Sequence, residues 1–356
     1  MKLYVAVSHH GLGHLAQTAP VLNALRARRP ALELTVRSAL PEAVVRERVA
    51  GPLRYLAVAS DCNLVMHDAV RVDVEASLAA YRAFHENWTA RVDAEARALE
   101  KLGVEAVLSN VGYLPLAAAQ RAGLPAFALC SLNWADIFAH YLGAAPGTAA
   151  ILAEMRAAYA GARCFLRPMP AMPMPDLANT LAIPPIAGIG RKRRRELVDR
   201  LGLAATTRIV LVGLGGIPYR LAPDRWPHLP GLCLLVPGDS PGAHLAVRRF
   251  SETGLPFADL LASADALITK PGYGSYVEAA AAGVPVLTIP RPDWPEAPVL
   301  DAWLAEHGRL REIDAAALRD GTFAAELETL WAQPARPAPA TPGAALAAEA
   351  IVTQLG

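Results

Sequence analysis

The sequence predicts an α/β protein made of two consecutive doubly wound domains. Short apolar runs alternate with helical stretches, the pattern of a parallel sheet covered on both faces. One Pro-rich stretch interrupts this alternation, which then restarts. At 356 residues the chain has room for about two domains, each burying its own core.

Leu3–Val7 reads as the first strand and Ala16–Arg29 as the helix after it, with Arg26, Arg28 and Arg29 suiting its C-terminal dipole. Leu32–Arg37 is the second strand and Pro41–Val49 the next helix. Val74–Leu102 holds a long helix with Leu78, Tyr81, Phe84 and Trp88 at helical spacing. Ala106–Ser109 and Ala126–Cys130 are strands flanking a helix at Leu114–Ala122. Six prolines between Pro168 and Pro185, without periodicity, mark Met169–Gly190 as the interdomain connection. The expected domains are residues 1–183 and 184–356. Strands then recur at Arg208–Val212, Leu232–Val236, Ala266–Ile268 and Val286–Ile289. Pro334–Pro342 is a loose segment before a terminal helix, Ala344–Leu355, which packs back on either domain. Ligands are expected between the two domains, at the carboxyl ends of strands.

Composition narrows the class. The chain is 53% hydrophobic with a net charge of +1, so nothing predicts a nucleic-acid footprint. Cys62, Cys130, Cys164 and Cys233 are scattered, with no CxxC pair, and read as buried free thiols rather than zinc ligands. The segment MKLYVAVSHH reads as a strand entering a loop, not a signal peptide. No apolar run reaches the ~20 residues of a membrane span, and the expected setting is the cytoplasm. The basic run Arg191–Arg195 is read as a solvated helix face; peripheral contact with anionic lipid is its alternative.

Three glycine-rich turns carry the chemistry. The first, SHHGLGH at Ser8–His14, lacks the third Gly of a dinucleotide fingerprint, and Arg37 and Ser38 stand where an acid would close the second strand. His14 at the helix start is read as a general base, because a helix N-terminus disfavours the imidazolium and leaves the ring free to accept a proton. The alternative is a histidine that caps the helix or packs locally. His9 and His10 either are structural or line an acceptor pocket. The second turn, Gly213–Gly216, is either a tight turn needing positive φ or a backbone approach to phosphate through Gly215 and Gly216. The third follows Thr269, where Lys270, Gly272, Gly274 and Ser275 precede a helix carrying Glu278. Glycines at a helix N-terminus beside a Lys suit a diphosphate, and a carboxylate one turn on suits ribose hydroxyls. Asp293 and Glu296 in the loop after the next strand serve sugar hydroxyls or acid–base chemistry. Trp294 between them stacks on a sugar or anchors the loop.

These residues resemble GT-B glycosyltransferases, near the UDP-sugar transferases. Their donor motif, roughly HGGxNSxxEAxxxGVPxxxxP, is met in register by Lys270, Pro271, Gly272, Tyr273, Gly274, Ser275, Glu278, Ala279, Gly283, Val284, Pro285 and Pro290. The N-terminal GxGHxxP-like motif is met by Gly11, Gly13 and His14, with the proline displaced to Pro20. A second likeness, to the glycosyltransferase-like N-terminal region of L-arabinokinases, rests on HGLGH, on SNVGYLPLAAAQRAGLPAFALCSLNWADIF and on RPDWPE. The resemblance implies two Rossmann-like domains facing across a cleft, the first binding an acceptor and the second the donor. It implies an inverting, metal-independent transfer from a nucleotide-diphosphate sugar, UDP-sugar first, to an acceptor hydroxyl, with His14 as base and no cofactor. Gly13, Gly215, Gly216, Lys270, Gly272, Gly274, Ser275, Glu278, Asp293 and Glu296 would bind the donor.

Three departures stand out. Lys270 and Gly274 replace the motif's His and Asn. The carboxylate that partners the base would fall near Ser109-Asn110, where there is none, so His14 has no assigned orienter. Asp293 and Glu296 replace the motif's terminal Asp-Gln pair. Asn63, His67, Arg71, Trp88, Tyr113, Asn133 and Trp134 are the candidate acceptor contacts. A nucleotide-sugar hydrolase or epimerase, and a non-catalytic nucleotide-sugar binder, are the competing readings.

Overall fold

The structure is a computed structural model, and it describes residues 1–216, 219, 221–238 and 244–356. It divides into two compact units: residues 1–67, 71–186 and 341–356 form the first, and residues 68–70 and 187–340 the second.

The first unit is a seven-stranded parallel sheet of β1 (Lys2–Val7), β2 (Glu33–Arg37), β3 (Arg54–Leu56), β4 (Ala106–Asn110), β5 (Ala126–Leu129), β6 (Cys164–Pro168) and β7 (Thr180–Ile183), in the order β3-β2-β1-β4-β5-β6-β7. Leu3, Val5 and Val7 on one face and Tyr4 and Ala6 on the other are all buried, as a strand covered on both faces requires. β7 lies inside the Pro-rich segment expected to be a connection. Its Thr180–Ile183 run pairs with Phe165–Pro168; Pro168 stands at the end of that ladder, opposite Ile183, and Pro184 and Pro185 follow the paired residues. The long helix expected over Val74–Leu102 is two helices, Val74–His85 and Trp88–Leu102. They part at Asn87, whose backbone leaves the helical region at φ −125° and ψ 46°. The terminal helix, Gly343–Leu355, belongs to the first unit and buries Ala347, Ala348 and Ile351 in the cluster that holds Leu15, Leu22 and Val5.

The second unit is a six-stranded parallel sheet of β8 (Arg208–Val212), β9 (Leu232–Val236), β10 (Val247–Arg249), β11 (Ala266–Thr269), β12 (Val286–Thr288) and β13 (Leu310–Glu312), ordered β10-β9-β8-β11-β12-β13. Ala69 from the early chain is buried in this unit's core beside Leu214, Trp226 and Phe323. A second cluster on the other face includes Leu211, Leu267, Tyr276 and Leu300.

Strand order reverses at one place in each sheet. In the first unit it is between β1 and β4, where Val7 stands opposite Asn110. In the second it is between β8 and β11, where Val212 stands opposite Ile268. Helices leave to opposite faces at such a point, opening a crevice at the strands' carboxyl ends.

Candidate functional site

The first crevice is built by the turn after β1. Ser8 donates its N–H to the Asn110 carbonyl at 2.7 Å, tying the end of β1 to that of β4. Gly11 then adopts φ +88°, a conformation that suits glycine, and its N–H reaches the His9 carbonyl. The chain turns into the helix Gly13–Arg28, whose first turn has no acidic residue and no side-chain cap. His14 therefore occupies the second position of an uncapped N-terminus. It is 6% exposed, a fit for a group held rather than solvated.

His14 Nδ1 lies 2.9 Å from Asn110 Oδ1. The amide's orientation is set elsewhere, because Asn110 Nδ2 donates to the His14 carbonyl and to Gln17 Oε1. Oδ1 is thereby left facing the ring, so His14 carries its proton on Nδ1 and keeps Nε2 as an acceptor. The missing orienter is Asn110 itself. An amide can hold the tautomer as a carboxylate does, but it brings no charge to an imidazolium. Cys130 Sγ at 3.7 Å and the Trp134 ring, 5.8 Å between centroids, also stand beside His14.

The neighbouring residues sort clearly. Asn63 accepts from Ser8 Oγ at 3.1 Å and presents Nδ2 to His9 at 3.2 Å. Trp134 is fully buried, meets the His10 ring edge-on, and donates Nε1–H to Asp61 Oδ2 at 3.1 Å. Asp61 drew no notice in the sequence, where it is one polar residue in an aperiodic loop. Burial raises its pKa, while His9, Ser8, Trp134 and Ser60 pull it back. Asn133 caps the helix Trp134–Leu142 by accepting from the Asp136 N–H, a structural role. Tyr113 and Trp88 both stack on His85, which bridges Tyr113 OH and Glu154. His67 and Arg71 close a local hairpin through a backbone hydrogen bond.

The second crevice joins two glycine turns. Thr269 Oγ1 donates to the Gly213 carbonyl at 2.6 Å, pinning the end of β11 to that of β8. Gly215 has φ +86°, and a Cβ built there would lie 3.9 Å from Lys270 Cε. Lys270 thus lies along the second turn while its own residue opens the third. Burial, helped by the Arg291 guanidinium, lowers its ammonium to about 7, against the pull of Glu296. Gly272 precedes the helix Tyr273–Ala282, which has no acidic residue in its first turn and no side-chain cap. Tyr273, Gly274 and Ser275 form the first turn of that helix, the end at which N–H groups point out of the helix. Glu278 is buried, with Oε1 only 3.3 Å from where a Cβ on Gly188 would stand.

Asp293 and Glu296 do not behave alike. Asp293 is exposed, whereas Glu296 is buried and accepts from Trp294 Nε1 at 3.3 Å. Trp294 is itself buried beneath Arg291, 4.3 Å from the ring centroid, so it anchors the loop. Arg291 Nε also donates to the Val70 carbonyl, which holds residues 68–70 in this unit. Three cations of the basic run form ion pairs: Arg193 with Glu196 and Asp259, Arg194 with Asp265, and the exposed Arg195 with Asp199. The four cysteines are buried and free, as expected, and burial pushes the Cys62 thiol up to about 12. Among the described residues no helix is long and apolar enough to cross a membrane.

No family model matches the chain. L-arabinokinase of Arabidopsis thaliana is 27% identical over 302 residues, 83% of this chain but 28% of that protein. The chain therefore spans just over a quarter of the length of this relative. Among solved structures, UGT89C1 of Arabidopsis thaliana, solved with quercetin, covers 99% of both chains with a TM-score of 0.61 at 13% identity. The glycosyltransferase SnogD of Streptomyces nogalater likewise covers 99% of both, at 0.55 and 19%. A Listeria monocytogenes protein assigned, but not established, as a UDP-N-acetylglucosamine 2-epimerase covers 99% of this chain and 95% of its own, at 0.56 and 14%. The expected fold is borne out: two Rossmann-like domains with the GT-B architecture.

Proposed function

We propose that the chain transfers a sugar from a nucleotide-diphosphate sugar, a UDP-sugar first, to the hydroxyl of an acceptor. The observation that carries this reading is Lys270 lying along the Gly215 turn, beside the uncapped helix at Tyr273. A lysine, a glycine backbone and the positive end of a helix together offset a diphosphate without calling on a metal. Glu278, one turn further along, is the group for the ribose hydroxyls. Gly13, Gly216 and Asp293 complete the proposed donor contacts, and Glu296, already bonded to Trp294, supports them by holding its loop.

The first unit supplies the base. His14 Nε2 takes the proton of the acceptor hydroxyl, whose oxygen forms the bond to the anomeric carbon. The bond from that carbon to the diphosphate breaks, its electron pair leaving on the phosphate oxygen, so configuration inverts. The proton ends on His14, with Asn110 keeping the ring in register.

Thermal-shift titration with UDP-, dTDP- and GDP-sugars tests the donor assignment. A ligand at 100 times its dissociation constant stabilises by ~2.7 kcal/mol, enough to identify the base by the largest shift. No shift with any nucleotide sugar overturns the reading. The likeness to an epimerase favours a second reading, in which His14 acts on water or on the sugar ring. Rapid consumption of donor with no acceptor present selects it.

A further inference from the structure

The loop proposed to meet the donor's sugar is tied down from behind by one buried hydroxyl. That loop, residues 289–296, joins the end of β12 to the helix Ala297–His307, and Pro292 and Asp293 are its exposed residues. Tyr276 is the fourth residue of the helix Tyr273–Ala282, whose start is the proposed diphosphate end, and it is fully buried. Its hydroxyl lies 2.7 Å from Thr288 Oγ1 and 2.8 Å from Asp301 Oδ1. Thr288 is the last residue of β12, directly before the loop, and Asp301 stands in the second turn of the helix directly after it. A single phenol oxygen therefore joins the diphosphate helix to both ends of the sugar loop.

Simple periodicities bring these groups together. Alternation along β12 sends Val286 and Thr288 to one face, the face on which Tyr276, Leu300 and Leu304 pack. Thr288 is fully buried, so a hydrogen bond lost at this point is not remade with water. The bonds close in either protonation state of Asp301. A carboxylate accepts the phenol's hydrogen while Thr288 donates to the phenol oxygen; a carboxylic acid donates to the phenol, which donates to Thr288. Burial, and then Asp301, push the Tyr276 phenol well above its ordinary value, so its hydrogen stays in place. Burial likewise raises Asp301, with Tyr276 drawing it down and Glu312 at the end of β13 raising it. Three prolines leave the loop few N–H groups of its own with which to hold a shape. Trp294 anchors its middle through Glu296, and the Tyr276 bonds fix its ends.

We propose that Tyr276, Thr288 and Asp301 are positioning residues for the sugar loop, fixing its distance from the diphosphate helix and so setting which sugars the donor site accepts. This rests on the reading of the second unit as the donor site. A site that hydrogen-bonds sugar hydroxyls discriminates only as sharply as its groups are held, and about an ångström of slack costs most of that discrimination. The diphosphate contacts come from Lys270 and the helix start, which Thr269 and the Gly215 turn place without this tie.

The test separates the sugar from the diphosphate. Tyr276→Phe keeps the ring and removes the tie. Binding of UDP should stay within about twofold, whereas kcat/KM for UDP-glucose or UDP-galactose, whichever the native protein prefers, should fall about tenfold, the scale of one buried hydrogen bond. The preference between these two sugars, which differ at one hydroxyl, should shrink by a similar factor. Asp301→Leu should reproduce both losses, and Asp301→Asn, whose Oδ1 still accepts from the phenol, should recover most of them. Thr288→Val reads the tie from its other end, and with Asp301→Leu it decides the matter if Tyr276→Phe does not fold. Hydrogen exchange in the nucleotide-free protein reads the loop directly: in Tyr276→Phe the peptide 289–297 should exchange about tenfold faster while β8 and β11 keep their native rates. An unchanged preference, UDP and the UDP-sugar weakened equally, no recovery in Asp301→Asn, or faster exchange spread over the whole unit each overturns the proposal. If UDP does not bind the native protein, the donor reading falls, and the exchange measurement alone judges the tie.

Discussion

The two strand-order reversals are the same topological device put to opposite electrostatic use. At β1/β4 the strand ends are tied by a backbone hydrogen bond, and the turn between them is filled with aromatic and imidazole rings. At β8/β11 the tie is made by Thr269, and the turns hold glycines and a lysine. Both lead into helices whose N-termini lack caps and acids. In the proposed reading the first positive end disfavours an imidazolium at His14, and the second receives the donor's diphosphate. Fold sets where a ligand goes, and the residues on the turn decide whether a proton or a phosphate is handled there.

The sharpest way to break this comparison is to remove the proton acceptor alone. His14→Ala should lower turnover by ~10²–10⁴ while the donor dissociation constant stays within about twofold. Steady-state kinetics paired with calorimetric titration of the donor reads both numbers. A large loss of donor affinity would mean that the two crevices do not divide the work as proposed.

Lys270→Met tests the other half. It should weaken donor binding by about 10- to 100-fold, the scale of one charge-assisted contact, and leave the intrinsic chemistry of bound donor less affected. The pH dependence is more telling. With its ammonium lowered to about 7, Lys270 in the empty unit is losing its proton near neutrality. A bound diphosphate favours the charged form, so donor binding should take up a proton above about pH 7 and weaken as pH rises. The stability sign runs the other way. Between about 7 and the ordinary value of 10.5 the unfolded chain holds more protons, so the empty unit gains stability as pH rises through that window and loses it as pH falls through 7. Titrations in buffers of different ionisation enthalpy measure the uptake, which Lys270→Met should abolish.

How far each half was legible follows from what its residues depend on. The donor turn is local: Lys270 to Pro290 sit at fixed offsets along one strand–helix–strand unit, so spacing alone places them. His14 was legible for the same reason. Its partner Asn110 reads in the sequence only as a missing carboxylate, since tautomer control by an amide leaves no pattern there. Asp61 meets His9 and Trp134 across 52 and 73 residues, a convergence set by the sheet. Long-range packing also explains β7, a four-residue strand hidden among prolines, and Asn133, whose capping role depends on where a helix begins. Glu296 looked like a sugar ligand because a loop carboxylate reads as exposed; Trp294 draws it inward.

The smallest effects separate glycines that hold a backbone conformation from glycines that leave space. Gly215 stands at φ +86°, where a side chain is strained whatever the room around it. Gly215→Ala should cost about 1–2 kcal/mol of stability in the second unit, seen as a fall of a few degrees in its thermal transition. Gly13 has no atom within 4 Å of where a Cβ would sit and does not need positive φ. Gly13→Ala should therefore be neutral or stabilise by up to about 1 kcal/mol, chiefly by restricting the unfolded chain. If Gly13→Ala nonetheless weakens donor binding while raising the melting temperature, the space beside Gly13 is occupied by the donor in the complex. Unchanged affinity would confine the donor to the glycines of the second unit and leave the histidine turn to the acceptor alone.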